Sequence, residues 1–157
     1  MSDRIAVFSQ GRLAQIAPPS DLYEKPANQF IAKFIGESSF LPLERAGQDL
    51  FYGSQAIKVA SPPAAPAERL LLMLRPERLK FVRADAEAND ELNVFKGEVS
   101  TVVFQGDSLL FDVRLQSGDQ IYARMQNRAK DSRDFPKCGD RIALAIDRHD
   151  AHIVRAE

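Results

Sequence analysis

The sequence is 157 residues long, 45% hydrophobic and 27% charged, the ordinary composition of a globular protein of about one-domain size. Its 21 Lys and Arg against 22 Asp and Glu leave a formal net charge of −1, so no overall positive field attracts nucleic acid or anionic lipid. No stretch approaches about 18 uninterrupted apolar residues, and the first residues lack the apolar run of a signal peptide, so neither a membrane-spanning helix nor export is expected. The single cysteine, Cys138, cannot form an internal disulfide, which favours a reducing compartment such as the cytoplasm.

The chain begins with a predicted β-hairpin. Apolar runs at 4–8 and 12–17 are separated by a short turn that contains Gly11. Because an isolated two-stranded hairpin is marginal in water, this one is expected to be the rim of a larger sheet. Its apolar side chains are then expected to lack cover in this chain, among them Ile5, Val7 and Leu13.

Two short helices are predicted after the hairpin. Ser20 is expected to cap the first helix, which Pro26 ends, and Asn28 is expected to cap the second. Gly36 stands where a left-handed residue commonly closes a helix.

The rest of the chain predicts strands, most clearly at 109–115. There Phe111 lies on the apolar face and Arg114 on the outward face of an alternating pattern. Tight turns at 105–108 and 117–119 join this strand to its neighbours and predict a three-stranded meander. Weaker strand signals lie at 40–44, 55–59, 70–75, 141–147 and 152–155.

These strands form two successive β-rich blocks, 38–83 and 94–157, which predict one small barrel or sandwich. Three other segments predict exposed loops: proline-rich 61–67, acidic 84–93 and mixed-charge 127–136.

Two parts of the sequence resemble a known family. Residues 1–7, 11–16 and 21–36 resemble the end of the nucleotide-binding domain of ABC importer ATP-binding subunits of the polyamine, maltose and iron type. The stretches LRPERL at 74–79, FQGD at 104–107 and LQSG at 115–118 resemble their C-terminal transport-associated OB (TOBE) domain. The resemblance implies a mainly β, OB-fold-like small barrel preceded by the hairpin and helices. It sets the domains at 1–36, a remnant of the nucleotide-binding domain, and 37–157, the regulatory OB-like domain.

The resemblance also implies a function. Such domains are regulatory and dimerisation modules of the ATP-binding subunit, here of an importer of spermidine/putrescine type. This chain is not expected to be an enzyme or to hold a cofactor, because no Gly-Lys-Ser or Gly-Lys-Thr phosphate loop occurs, and ATP and Mg²⁺ would be bound by an upstream domain. The implied partners are a second copy and the permease subunits. The implied location is cytoplasmic, at the inner face of the membrane, with only indirect membrane contact.

Five residues are the candidate ligand or subunit contacts. For Arg75 and Glu77, a structural interpretation competes: Pro76 ends the 70–75 strand and starts one helical turn, with Glu77 near its positive end. The other three residues form a turn of the meander: Gln105, Gly106 and Asp107.

Two alternative functions stay open. A stand-alone small-ligand or oxyanion module would receive its ligand at backbone amides of the turns at 105–107 or 117–119. An OB-fold nucleic-acid binder would stack bases on aromatic side chains, although core packing explains most of them: Phe81, Phe95, Phe104, Phe111 and Tyr122.

No catalytic or metal site is predicted. His149 and His152, beside Asp147 and Asp150, are interpreted as solvated turn residues, because a spacing of three on a strand puts two side chains on opposite faces. Cys138 is interpreted as a half-exposed structural thiol.

Overall fold

The computed structural model describes residues 3–63, 69–128 and 135–156. The chain opens with the predicted hairpin, β1 (Ile5–Ser9) and β2 (Arg12–Ala17). Gln10 and Gly11 both have positive φ, 49° and 75°, as a two-residue hairpin turn with strand-compatible twist requires.

The hairpin is partly covered by the helices α1 (Pro19–Glu24) and α2 (Gln29–Ile35). Val7 is 4% exposed because it packs with Leu22 and Ile31, so the expectation that it lacks cover is wrong. Ile5 and Leu13 do remain exposed, at 39% and 53%.

The helix ends follow the sequence signals only in part. Asn28 caps α2, since its Oδ1 accepts a hydrogen bond from Ile31 N at 3.0 Å. Ser20 does not cap α1, because the helix already begins at Pro19 with Pro18 as its N-cap. Gly36 is extended, with φ −179°, because the chain runs straight from α2 towards the first strand of the β domain.

The described residues of the β domain form ten strands, all antiparallel to their sheet neighbours. The strands are β3 (Ser39–Ala46), β4 (Asp49–Tyr52), β5 (Gln55–Ile57), β6 (Leu70–Leu74), β7 (Lys80–Val82), β8 (Leu92–Phe104), β9 (Ser108–Leu115), β10 (Gln120–Gln126), β11 (Arg141–Asp147) and β12 (His152–Arg155). A 3-10 turn, Pro76–Arg78, follows β6 as predicted for Pro76.

The strands form two five-stranded sheets, in the orders β10-β9-β8-β11-β7 and β12-β6-β3-β4-β5. The two sequence blocks exchange strands: β7 from the first block joins the sheet of β8, β9, β10 and β11, and β12 from the second block joins the sheet of β3, β4, β5 and β6. One hydrophobic cluster draws on both sheets, with Leu41, Leu72, Phe95, Phe111 and Leu144 among its members. The predicted mainly β architecture with one shared core is therefore confirmed.

The meander β8-β9-β10 is confirmed, as are the bounds of β11 and β12. Sequence analysis missed β4 and β7, whose runs of four and three residues are too short to show an alternation. The predicted loop 84–93 ends early, because β8 begins at Leu92. Parts of the loops predicted at 61–67 and 127–136 lie outside the described residues.

Neither described helix is long and apolar enough to cross a membrane; α1 and α2 have six and seven residues.

Candidate functional site

Arg75 joins the N-terminal helices to the β domain. It follows β6 and is 3% exposed. Its Nη2 donates to the carbonyl of Tyr23 at 2.9 Å, and its Nη1 donates to Ser38 Oγ at 2.6 Å, Ala32 O at 3.2 Å and Glu37 O at 3.3 Å. The guanidinium also lies 4.2 Å from the centre of the Tyr23 ring, a cation–π contact. We call these five residues the Arg75 joint.

Burial lowers the pKa of Arg75, and the negative charge of Glu24 acts in the opposite direction. The guanidinium stays charged at neutral pH, because its ordinary pKa lies so far above 7. A buried cation needs hydrogen-bond acceptors on several sides, and here carbonyls from both helices and from the linker supply them. Gly36 leaves room for it, since a Cβ there would stand 3.3 Å from Arg75 Nη1.

Arg78 forms a second, more exposed connection in the same place. Its Nη2 lies 2.9 Å from Glu24 Oε1 on α1, and its Nη1 lies 3.2 Å from Asp150 Oδ1 in the turn before β12. His152 Nε2 lies 3.8 Å from the other oxygen of Glu24. Because these side chains are partly exposed, each pair contributes little by itself, and Arg75 is the principal contact of the joint.

Arg124, on β10, gathers two of the candidate contacts. It forms an ion pair with Glu37, its Nη1 lies 4.0 Å from Glu77 Oε2, and its Nη2 lies 3.4 Å from Gln105 Oε1. We call Glu37, Glu77, Gln105 and Arg124 the Arg124 cluster. Arg124 is not among the residues predicted from the sequence, because nothing in the local pattern links it to Glu77.

The remaining candidates, Gly106 and Asp107, lie at the exposed tip of the β8–β9 hairpin. Asp107 and Gln105 help to line an open groove of about 590 Å³ beside Arg124. Within the turn, Gln105 N already donates to Ser108 O at 2.8 Å. That amide is therefore satisfied within the chain.

The second turn is likewise bonded internally. Gly118 N donates to Leu115 O at 3.0 Å, and Asp119 N donates to Ser117 Oγ at 3.3 Å. Tyr52, on β4, hydrogen-bonds Ser117 and donates to Asp119 Oδ2 at 2.6 Å. Burial and the Asp119 hydrogen bond raise the pKa of Tyr52 to about 12, so its hydroxyl stays protonated and ties the turn to the other sheet.

The two histidines are separated. His149 is an exposed turn residue as predicted, and its Nδ1 lies 2.8 Å from Asp147 Oδ1, whose pKa is lowered by the backbone and side-chain hydrogen bonds from His149. His152 belongs to β12 and is partly buried, so its interpretation as a solvated turn residue is wrong. Glu91 brings a third ligand-type atom within 4.8 Å of Asp147 and His149, but it also pairs with Arg148.

The aromatic side chains and the cysteine are placed as follows. Phe95 and Phe111 are buried, and the ring of Phe81 packs edge-on against that of Phe111, with 4.9 Å between the ring centres. Phe104 is 68% exposed, more than core packing predicts. Cys138 is exposed and not half-exposed, with its Sγ 3.0 Å from the carbonyl oxygen of Ser100.

The family model described as the TOBE domain matches residues 72–154. This match covers more than half of the chain and includes the whole LRPER segment, residues 74–78. The chain therefore belongs to the TOBE domain family.

Along almost its whole length the chain is similar to ATP-binding subunits of ABC importers. It is 31% identical to the spermidine/putrescine import ATP-binding protein PotA 2 of Pseudomonas aeruginosa, over 99% of this chain and 45% of that protein. It is 34% identical to PotA 1 of the same species, over 98% of this chain and 41% of that protein. It is 37% identical to PotA of Rubrobacter xylanophilus, over 94% of this chain and 39% of that protein. The chain thus spans less than half the length of these relatives.

A solved structure supports the fold assignment alone. The cytoplasmic molybdate-binding protein ModG, crystallised with molybdate bound, aligns with a TM-score of 0.57 and 12% sequence identity, over 82% of this chain and 97% of that protein.

Proposed function

We propose that this chain is the C-terminal accessory region of the ATP-binding subunit of an ABC importer of spermidine/putrescine type, and that it regulates and pairs these subunits. Similarity over 99% of the chain to proteins of that name supports the assignment. The structural observation that carries it is the Arg75 joint, in which one buried cation bonds the helices of the N-terminal part and the linker to the β domain.

The joint makes a regulatory role physically reasonable. Regulation needs a contact through which a change at one site alters the energy of another. A rotation of α1 or α2 relative to the β domain would break several hydrogen bonds to Arg75, whose charge would then be buried without acceptors. The two parts therefore move together, and a ligand or partner of the β domain can bias the position of the helices.

The exposed face of the hairpin supports the interpretation of 1–36 as part of a larger domain. Large apolar side chains of the hairpin and one of α2 stand in solvent, with exposures of 39–68%: Ile5, Phe8, Leu13 and Ile16 on the hairpin, and Phe34 on α2. A patch of this kind marks a surface that another structure covers. In the proposed subunit, the covering structure is the rest of the nucleotide-binding domain, which also binds ATP and Mg²⁺ and contacts the permease at the cytoplasmic face of the membrane.

We expect the accessory regions of two subunits to pair with two-fold symmetry, because the same surface patch of each subunit then forms the interface. An oxyanion module at the two turns has less support, since amides of both turns already donate within the chain. A nucleic-acid platform also has less support, because Phe95 and Phe111 are buried in the core.

A chimeric importer tests the proposal. The part of Pseudomonas aeruginosa PotA 2 that precedes the similar segment is fused to this chain and produced in a strain that lacks its own PotA proteins. We expect uptake of labelled putrescine or spermidine to be restored. Arg75→Ala should slow uptake at equal protein level, whereas Arg69→Ala, at an exposed position, should not. A folded, ATP-hydrolysing chimera that transports neither polyamine would contradict the assignment.

A further inference from the structure

The outer face of the sheet that contains β8, β9 and β11 carries a cationic groove of about 410 Å³. Its charged lining residues come from three neighbouring strands: Lys96 and Glu98 on β8, Arg114 on β9 and Arg141 on β11. Arg114 and Arg141 are both register partners of Glu98, one on each side. Directly opposed residues project from the same face, so the three side chains stand in one row across the sheet.

The two arginines in this row are uncompensated. Within the described ranges neither guanidinium makes a hydrogen bond, and Glu98 is not within ion-pair distance of either, whereas Arg78, Arg124 and Arg148 each have a carboxylate within 4.0 Å. Lys96 lies 3.3 Å from the exposed Glu87. Three cations and one carboxylate line the groove, and Glu87 offsets Lys96 at its edge, which leaves a local excess of one positive charge on a chain whose formal charge is −1.

Gly97 helps to build the row. A Cβ at Gly97 would lie 2.6 Å from Arg114 O and 2.8 Å from Val113 Cγ1, distances that no side chain tolerates. The backbones of β8 and β9 therefore approach closely here, which sets Arg114 beside Glu98. The arrangement belongs to the rigid sheet and not to a loop.

We propose that this cationic groove binds a small phosphorylated metabolite that carries hydroxyl groups. Guanidinium groups form paired hydrogen bonds with phosphate oxygens, and Arg114 and Arg141 offer two such groups. Glu98 lies between them and can accept a hydrogen bond from a ligand hydroxyl, while Ser100 and Gln116 add neutral hydrogen-bonding groups. The groove is large enough, since small-molecule sites span about 300–1,000 Å³. It shares no residue with the Arg75 joint or the Arg124 cluster, and the proposal does not rest on the importer assignment.

Calorimetric titration of the whole chain with glucose 6-phosphate is the test, with glucose and inorganic phosphate as matched probes. We expect one molecule per chain to bind, more tightly than inorganic phosphate, and glucose not to bind. Backbone NMR shifts should move at 96–100, 114–116 and 141. Equal binding of the two phosphate probes, or tighter binding of an oligoglutamate peptide, would overturn the proposal in favour of a simple anion or an acidic protein segment.

Variants locate the site. Arg114→Gln and Arg141→Gln should each weaken glucose 6-phosphate binding about tenfold or more, since each removes a charged hydrogen-bonding group. Arg12→Gln, at an exposed position on the hairpin, should leave it unchanged. Thermal unfolding of each variant checks that the fold is intact. Binding that is insensitive to both groove variants, or no saturable binding at all, would refute the inference.

Discussion

The guanidinium of Arg75 donates a hydrogen bond of 2.9 Å to the carbonyl of Tyr23, 52 residues earlier in the chain. This contact joins a residue of the TOBE match to a helix that lies outside it. The LRPER segment thus has two roles: Pro76 ends β6, and Arg75 and Arg78 turn back to bind the helices. Arg75 is therefore buried against helices of its own chain.

Phe111 is predicted to be the side chain whose loss most weakens the β core. It is 0% exposed and packs against Phe81, so Phe111→Ala leaves a large cavity and should cost about 3–5 kcal/mol in the free energy of unfolding. Arg114→Ala, three residues on and exposed, should cost no more than about 0.5 kcal/mol. Urea unfolding of both variants measures the difference; equal losses would show that the burial pattern of β9 is wrong.

His152 predicts a dependence of stability on pH. Burial lowers its pKa, and the charges of Glu24 and Asp150 oppose this shift without cancelling it. Because the folded state then binds a proton less readily than the unfolded state, the stability that neutral His152 contributes is present above its ordinary pKa of about 6.5 and is lost as the pH falls below it.

The comparison with His152→Gln isolates this effect from other titrating groups. The difference between the free energies of unfolding of the native chain and of the variant (native minus variant) should decrease as the pH is lowered from about 7.5 to about 5.5. A rise over the same interval would mean that protonated His152 gains more from Glu24 and Asp150 than it loses through burial.

How far the sequence predicted this structure depended on the range of each interaction. Local signals sufficed for Asn28, which caps α2 three residues away, and for the alternation that buries Phe111. They could not place Arg75 against Tyr23 or Arg124 against Glu37, because those contacts span 52 and 87 residues and depend on the tertiary fold. Strands such as β7, which has three residues, are also too short to be predicted from an alternation of apolar and polar residues.

Self-association is expected from the uncovered hairpin face or from the β domain. Phe8 and Leu13 are register partners, 65% and 53% exposed, and the double variant Phe8→Ser/Leu13→Ser removes this patch without opening the cluster around Val7. Sedimentation velocity across a concentration series should show a dimer for the native chain. A dimer that persists in the double variant assigns pairing to the β domain, and one that is lost assigns it to the hairpin. A native chain that stays monomeric at high micromolar concentration would count against both routes.

The chain is predicted not to bind ATP, because no phosphate-binding glycine loop with its lysine occurs in the sequence. Equilibrium dialysis with ATP and Mg²⁺ should show no saturable uptake. Micromolar, stoichiometric binding would disprove this prediction.

The central claim is that Arg75 makes the N-terminal helices and the β domain one mechanical unit. Amide hydrogen exchange of the native chain and of Arg75→Met, with Arg114→Met as the matched exposed control, tests it most directly. In Arg75→Met, amides of α2 such as those of Ala32 and Gly36 should exchange at least about tenfold faster. The loss of the buried cation removes the donor to the Tyr23 and Glu37 carbonyls, at a cost of about 1–3 kcal/mol each, and it removes one of the two donors to the Ala32 carbonyl. Amides of β9 should keep their protection, and Arg114→Met should match the native chain. Unchanged exchange in α2 of Arg75→Met would contradict the claim.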